Sequence, residues 1–306
     1  AMSLCSESLS QGEKLLGKEH PDLCASLNLL ALLYSDTGTF EEASKVLERA
    51  LSTSLRLLGE DHPQTLDTIS NLASICGEQG NHDKAEALAR QELAARMRLS
   101  SSSKLEVLES KAALANILRL RGCLIEAEQL YRDAYEGMKR VAGAHWPTTR
   151  STLLALAGVL TELGRYKEAI MLRREELLIS RETSEKDDVI LEKTKWLAED
   201  LRYNGQLNEA EELLREILNS RVNNLVADQS DGMSIVYSLA EVLSAQKRHA
   251  ESIPLRQHEL AWCREQNGDT DPGTLASINA LAIDLRENGA LEEAEALFRE
   301  LVAARL

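Results

Sequence analysis

Aromatic residues are scarce in this chain: three Trp, six Tyr and two Phe among 306 residues. A core short of large rings must rest on Leu and Ala, both strong helix formers. Proline (5) and glycine (16) are also sparse, and a many-stranded β fold with frequent turns needs more of both. No apolar run is long enough to span a bilayer, and the opening does not read as a signal peptide. Basic charge is in deficit, with 35 Lys and Arg against 50 Asp and Glu, a net charge of −15. That speaks against a nucleic-acid partner, which needs a basic stripe, and against adsorption to anionic membranes. The five cysteines, Cys5, Cys24, Cys76, Cys123 and Cys263, form no Cys-x-x-Cys pair. An odd, scattered set fits a reducing cytoplasmic setting better than a disulfide framework.

What the chain does contain is repetition. "LLGEDHPQTL" at 57–66 has a near copy, "LLGKEHPDL", at 15–23, with both His and Pro displaced by 42 residues. A glycine followed five residues later by alanine recurs in "DTGTFEEA", "EQGNHDKA", "LRGCLIEA", "ELGRYKEA", "NGQLNEA" and "NGALEEA". The glycines are Gly38, Gly80, Gly122, Gly164, Gly205 and Gly289, spaced by 42, 42, 42, 41 and 84 residues. The double step leaves room for one more copy, centred on Lys247, with Ser252 in the alanine position. Seven units at this period mark a stack of helix pairs, not a two-layer globule. Apolar residues at helical spacing flank each turn, such as Leu27, Leu30, Ala31 and Tyr34 before Gly38, and Ala43, Leu47, Ala50 and Leu51 after it. The Pro of "HPxT" fits the first turn of a helix, where its missing N–H had no partner.

A longer period lies on top. Even units carry "LARQEL", "LRREEL" and "LRQHEL" in their second helices, where odd units carry "VLERAL", "LYRDAY", "LLREIL" and "LFRELV". Polar linkers such as "SSSSK" and "SEKDD" follow even units, and tighter turns are expected after odd ones. The sixth unit lacks the turn glycine and carries Pro254, expected in the first turn of its second helix, which makes it the weakest internal joint.

These features resemble the tetratricopeptide repeat, and "LGEDHPQTLDTISNLASICGEQGNHDKAEAL" resembles the 42-residue variety found in kinesin light chains. The resemblance implies an all-α, right-handed superhelical solenoid of about seven helix-turn-helix repeats. Residues 1–306 form one array, with a half repeat at 1–17 and repeats starting near 20, 62, 104, 146, 187, 229 and 271. The kinesin light chain pattern places Asn pairs in the groove; Asn28, Asn71 and Asn279 are their remnants here. In such stacks the first helices line the concave face, where ligands bind. Counting back from each glycine, the charged groove residues are Asp36, Asp67, Glu78, Glu109, Arg119, Glu162, Glu192, Lys195, Glu199, Arg202, Glu241, Arg286 and Glu287, nine acids and four bases. The fifth unit groups Lys195, Trp196, Glu199, Arg202 and Tyr203, and Tyr237 follows in the sixth; Trp, Tyr and Arg are the residue types that anchor interfaces. The candidate groove is therefore Asn28, Asp67, Asn71, Glu109, Asn116, Arg119, Lys195, Trp196, Glu199, Arg202, Tyr203, Tyr237, Glu241, Asn279 and Arg286.

Catalytic and metal motifs are not legible. His20 and His62 belong to the repeated turn, and the other histidines lack a neighbour at metal spacing. In "RQHELAWC", His258, Glu259 and Cys263 are expected on a surface face, and the "EE" pairs at 41, 175, 211 and 292 on solvated second helices. The expected function is a non-catalytic, cytoplasmic protein–protein interaction scaffold. It needs no cofactor, and it binds a basic or mixed-charge peptide or protein segment in its groove. The alternatives are the sensor or regulatory arm of a larger signalling ATPase or protease, and a kinesin light chain-like cargo adaptor. The last helix, "ALFRELVAARL", is expected to leave Leu297, Phe298, Leu301 and Val302 uncovered, which would permit end-to-end self-association.

Overall fold

The computed structural model describes residues 2–17, 20, 22–99, 103–183, 185–222 and 229–304. Among them are fifteen α-helices and no strand. The chain divides into two compact units at Gly164. The first holds α1 (Met2–Leu16), α2 (Asp22–Asp36), α3 (Phe40–Leu57), α4 (Pro63–Glu78), α5 (His82–Arg98), α6 (Lys104–Leu120), α7 (Leu124–Val141) and α8 (Pro147–Glu162). The second holds α9 (Tyr166–Glu182), α10 (Asp187–Tyr203), α11 (Leu207–Val222), α12 (Gln229–Ala245), α13 (His249–Asn267), α14 (Pro272–Glu287) and α15 (Leu291–Ala304). Within each unit consecutive helices pack on one another. First helices also touch first helices, α2 with α4, α4 with α6 and α6 with α8 in one unit, and α10 with α12 in the other.

The hairpin turn follows from one residue. Gly38, Gly80, Gly122, Gly164, Gly205 and Gly289 all have φ between 72° and 88°, a region that a Cβ disfavours. That conformation aims the next N–H back at the helix just ended. Thr39 N donates to Tyr34 O (2.9 Å), Asn81 N to Cys76 O, Cys123 N to Leu118 O and Gln206 N to Leu201 O (each 2.8 Å). This i→i−5 bond satisfies a carbonyl that the helix end leaves unpaired. The small residue five positions on then lies where two helices touch: Ala43, Ala85, Ala127, Ala169 and Ala210 are fully buried, as is Ser252.

First helices start where their caps are strongest. Pro63, Pro147 and Pro272 each open a helix. His62 Nδ1 accepts from Gln64 N (3.2 Å), and Asp271 Oδ2 from Gly273 N (2.8 Å). Ser103 and Glu106 close a reciprocal capping box on α6. The links from second to first helix are alike in length after odd and even units: 58–62 and 142–146 against 99–103 and 268–271. The tighter turns expected after odd units are therefore absent there.

The sixth repeat differs as its sequence suggests, with one correction. Lys247 takes the turn conformation at φ 61°, the one non-glycine residue at positive φ among the described residues. Arg248 N still bonds Leu243 O (2.9 Å). Pro254, however, lies inside α13 and not in its first turn, because α13 starts at His249. The Ala250 carbonyl thus has no N–H four residues on to accept from. A left-handed lysine costs about 1–2 kcal/mol. Lys247→Gly should therefore raise stability by about 1 kcal/mol in urea unfolding, and should slow hydrogen exchange across residues 245–255, where the parent chain should exchange faster than at its other hairpin turns.

Candidate functional site

The first-helix face of the first unit carries six of the candidate residues. Asn28 Nδ2 donates to Thr68 Oγ1 (3.0 Å), which ties α2 to α4; its Oδ1 is buried as well. Asp67 is exposed and holds Arg96 of α5 at 2.6 Å. Arg119 donates to Glu162 (3.2 Å) and to Asn116 Oδ1 (3.3 Å), bringing α6 and α8 together. Asn71 and Glu109 are half-buried. Asp36, Glu78 and Glu162 are the last residues of α2, α4 and α8 and are exposed. A carboxylate is disfavoured there by the helix dipole.

In the second unit the aromatic and basic candidates meet. Lys195 Nζ donates to Ser234 Oγ (2.7 Å), joining α10 to α12. Trp196 is half-buried, with the Arg173 guanidinium 5.4 Å from its ring centroid. Tyr203, 53% exposed, stacks on Tyr166 at 5.3 Å and lies under the Arg202 guanidinium at 4.2 Å. Glu199, Arg202, Tyr237 and Glu241 line one narrow cleft. Glu241 is shared between Arg202 (3.7 Å) and Arg256, and Arg256 also covers Tyr237, which is 44% exposed. Burial first, then the Glu241 charge, push the Tyr237 hydroxyl above its ordinary pKa, so it stays a hydrogen-bond donor. Asn279 is half-buried on α14. Arg286 is not part of this cleft; it pairs with Glu287 (2.7 Å) and edges a second, apolar cleft along α15.

The sequence model of the tetratricopeptide repeat matches residues 1–54, 25–98, 106–181 and 232–306. The chain belongs to the tetratricopeptide repeat family. Its fold is similar to that of a signal-transduction ATPase with a tetratricopeptide repeat sensor from Pyrococcus horikoshii (TM-score 0.73, 16% identity), with 93% of this chain and 42% of that one covered. It is also similar to the apo form of the quorum sensor NprR from B. thuringiensis (TM-score 0.66, 14% identity; 100% and 83% covered). A putative kinesin light chain from Podospora anserina matches over 94% and 96% of the two chains at 20% identity, with a TM-score of 0.35. No curated protein gives a significant match. The tetratricopeptide fold is typical of protein–protein interaction scaffolds. Among the described residues no helix is long and apolar enough to cross a membrane, and no group of three His, Cys, Asp or Glu could hold a metal.

This tetratricopeptide chain has a feature that its sequence pattern concealed. Several second-helix carboxylates are buried: Glu176, Glu211 and Glu259, where a solvated face was expected, and Glu92 with them. Glu92, Glu176 and Glu259 are the same residue of "LARQEL", "LRREEL" and "LRQHEL", twelve positions after the turn, where the next first helix packs. That helix supplies the donor: Ser110 Oγ to Glu92 (2.8 Å), Lys193 Nζ to Glu176 (2.7 Å) and Ser277 Oγ to Glu259 (2.6 Å). Glu211 is held by Gln246 (2.9 Å) and Arg248 (2.7 Å). His258 stays exposed while Glu259 is buried, so the surface expectation fails for Glu259. The legible signal was the even-unit recurrence of Glu matched by Ser, Lys and Ser one helix later.

The densest of these clusters surrounds Asp284. Ser252 Oγ (2.6 Å), Ser244 Oγ (2.7 Å) and His249 Nδ1 (2.9 Å) bond it, and Arg256 lies 3.5 Å away. Burial raises its pKa, but the bonds from Ser252, Ser244 and His249 and the Arg256 charge outweigh that and hold it below the ordinary value. Glu92 is the reverse case: burial outweighs Arg96 and Ser110 and raises it. A depressed carboxylate stabilises the fold above its unfolded pKa and stops doing so as pH falls through the folded one. The second unit should thus lose stability below about pH 4. Asp284→Asn should flatten that loss in a series of urea unfolding curves and, by leaving Arg256 short of a partner, cost on the order of 3 kcal/mol at neutral pH.

Proposed function

We propose that the chain is a non-catalytic scaffold that binds a peptide or protein segment on its first-helix face. The observation that carries this reading is the half-exposed aromatic and guanidinium cluster of the second unit: Trp196, Tyr203 and Tyr237 with Arg173, Arg202 and Arg256. Rigid rings with large contact area at small entropic cost are what an interface needs at its centre. Two of these rings lie substantially in solvent, where they contribute little to folding. Arg and Glu beside them give the cleft both signs of charge, which suits a segment of mixed charge.

The first unit favours a basic ligand. Asp36, Glu78 and Glu162 end their helices at the negative pole of the dipole. A lysine or arginine arriving there would relieve about 0.3–1 kcal/mol at each site. Arg119 offsets Glu162 and Arg96 offsets Asp67, so the field comes mainly from the α2 and α4 ends. Such charges mostly set association rate and specificity.

Binding of matched basic and acidic peptide pools to the full chain, at low and high salt, tests the proposal. The basic pool should bind tighter and weaken as salt rises. Trp196→Ala should cost on the order of 2 kcal/mol, roughly thirtyfold in Kd. Tighter binding of the acidic pool, or indifference to Trp196→Ala, would overturn it.

A further inference from the structure

Charge, more than apolar surface, is what this protein leaves unanswered. Of the four α15 side chains expected to be bare, Leu301 is buried, and Leu297 and Phe298 pack partly on the core of α14. Half-buried charges are as a rule paired. Arg173 meets Asp200 across the seam between α9 and α10, and Glu209 takes Arg174. Lys111 takes Asp133 (3.3 Å), and Glu86 takes Arg90 (2.8 Å). A charge drawn partly out of water without a partner costs free energy that folding does not return.

Three half-buried charges on first helices depart from this: Glu109 in the first unit, and Lys195 and Glu199 in the second. Among the described residues none of the three has an oppositely charged group within ion-pair reach. Glu109 adds to the negative field of the first unit. Lys195 and Glu199 are opposite in sign and one turn apart on α10, where side chains lie about 6 Å from each other, yet they do not pair. Lys195 turns instead to α12, where Ser234 Oγ accepts at 2.7 Å. A hydroxyl leaves the ammonium charge unneutralised. Glu199 lines the narrow cleft that it shares with Tyr237 and Glu241. The nearest guanidinium on its own helix, Arg202, is drawn to Glu241 and to the Tyr203 ring. Nor does the repeat require a charge at Lys195. Ten residues before the turn the other repeats carry Asn28, Ser70, Ala112, Leu154, Tyr237 and Asn279, all neutral.

We infer that Lys195 and Glu199 read a pair of oppositely charged side chains in the bound segment: an acidic residue on Lys195 and a basic residue on Glu199, two positions apart in an extended chain. Alternate side chains of an extended segment leave the same face about 7 Å apart, close to the spacing of one helical turn. The inference rests on the scaffold reading and sharpens it, since it names which mixed-charge segment suits this cleft. A segment with two like charges leaves one of the two sites uncompensated and brings repulsion to the other. Discrimination thus comes as much from the wrong ligand as from the right one.

The test uses short synthetic peptides with a neutral polar background and one Trp or Leu anchor. They differ at two positions separated by one residue, which hold an acid and a base, two acids, or two bases, and the anchor is placed on either side. Affinity for the full chain is read by fluorescence anisotropy. The acid-and-base peptides should bind about tenfold tighter than either like-charged kind. Glu199→Lys changes a side chain without a partner in the fold and should move the preference to two acids. Lys195→Glu, with helicity checked by circular dichroism, should move it to two bases. Asp36 and Glu78 are common to parent and variants, so the first unit's preference for basic ligands cancels from the comparison. An unchanged ranking in Glu199→Lys, with Trp196→Ala still weakening every peptide, would overturn the inference and leave the scaffold reading standing. Failure of the parent chain to bind any of the peptides would overturn both.

Discussion

Everything in this protein hangs on a single backbone bond, repeated. A residue in the left-handed region returns the next N–H to a carbonyl five positions back, and the chain reverses. The reversal fixes which side chains of the second helix can touch the first. Only a small residue five positions on lets the two approach, so alanine or serine is buried there in every repeat described. Packing, seam chemistry and the exposed first-helix face are all downstream of that turn. Lys247 demonstrates the priority of the constraint: the turn is kept even where the side chain opposes it.

The seams between hairpins alternate in kind. Those from odd to even repeats pair apolar residues at their centre, with Leu47 near Ile75 and Leu214 near Val242, and a charge such as Glu211 is buried only at the turn end, against Arg248. Those from even to odd repeats bury ions, with Glu92, Glu176 and Glu259 matched by donors from the next helix. In the second unit one polar seam continues to the surface. Arg256 bonds Glu241, covers Tyr237 and approaches Asp284. The exposed ring at the candidate cleft is therefore positioned from below by a buried charge cluster, and a change beneath it such as Asp284→Asn reaches the cleft through Arg256.

The repeat pattern was legible because it depends on residue types that few other environments require: glycine at positive φ, proline at a helix start, alanine at a close contact. The chain's helical class, turns and core leucines followed from these. Buried charge was not legible. A glutamate in "LRREEL" carries no local mark that distinguishes Glu176, which is buried, from Glu175 beside it; the distinction comes from Lys193, one helix away. Likewise a helical wheel shows that Lys195, Trp196, Glu199, Arg202 and Tyr203 share a side of α10. It does not show that Arg173 covers Trp196 or that Tyr166 stacks on Tyr203, because both partners belong to α9. Nor does it show that the amide of Asn28, a candidate groove residue, donates to Thr68 of α4.

Alternation of apolar-centred and ionic seams also dictates how such a chain can change length. Excising one repeat from the second unit, α10 with α11, would set Arg173 and Glu176 of α9 against α12, whose Val242 offers the guanidinium nothing. Excising two, α10 to α13, would set them against α14, where Asp284 and Ser277 stand ready. The smallest unit that can be gained or lost without burying an orphan charge is thus a pair of repeats, and the pairwise sequence period is the trace that this rule leaves.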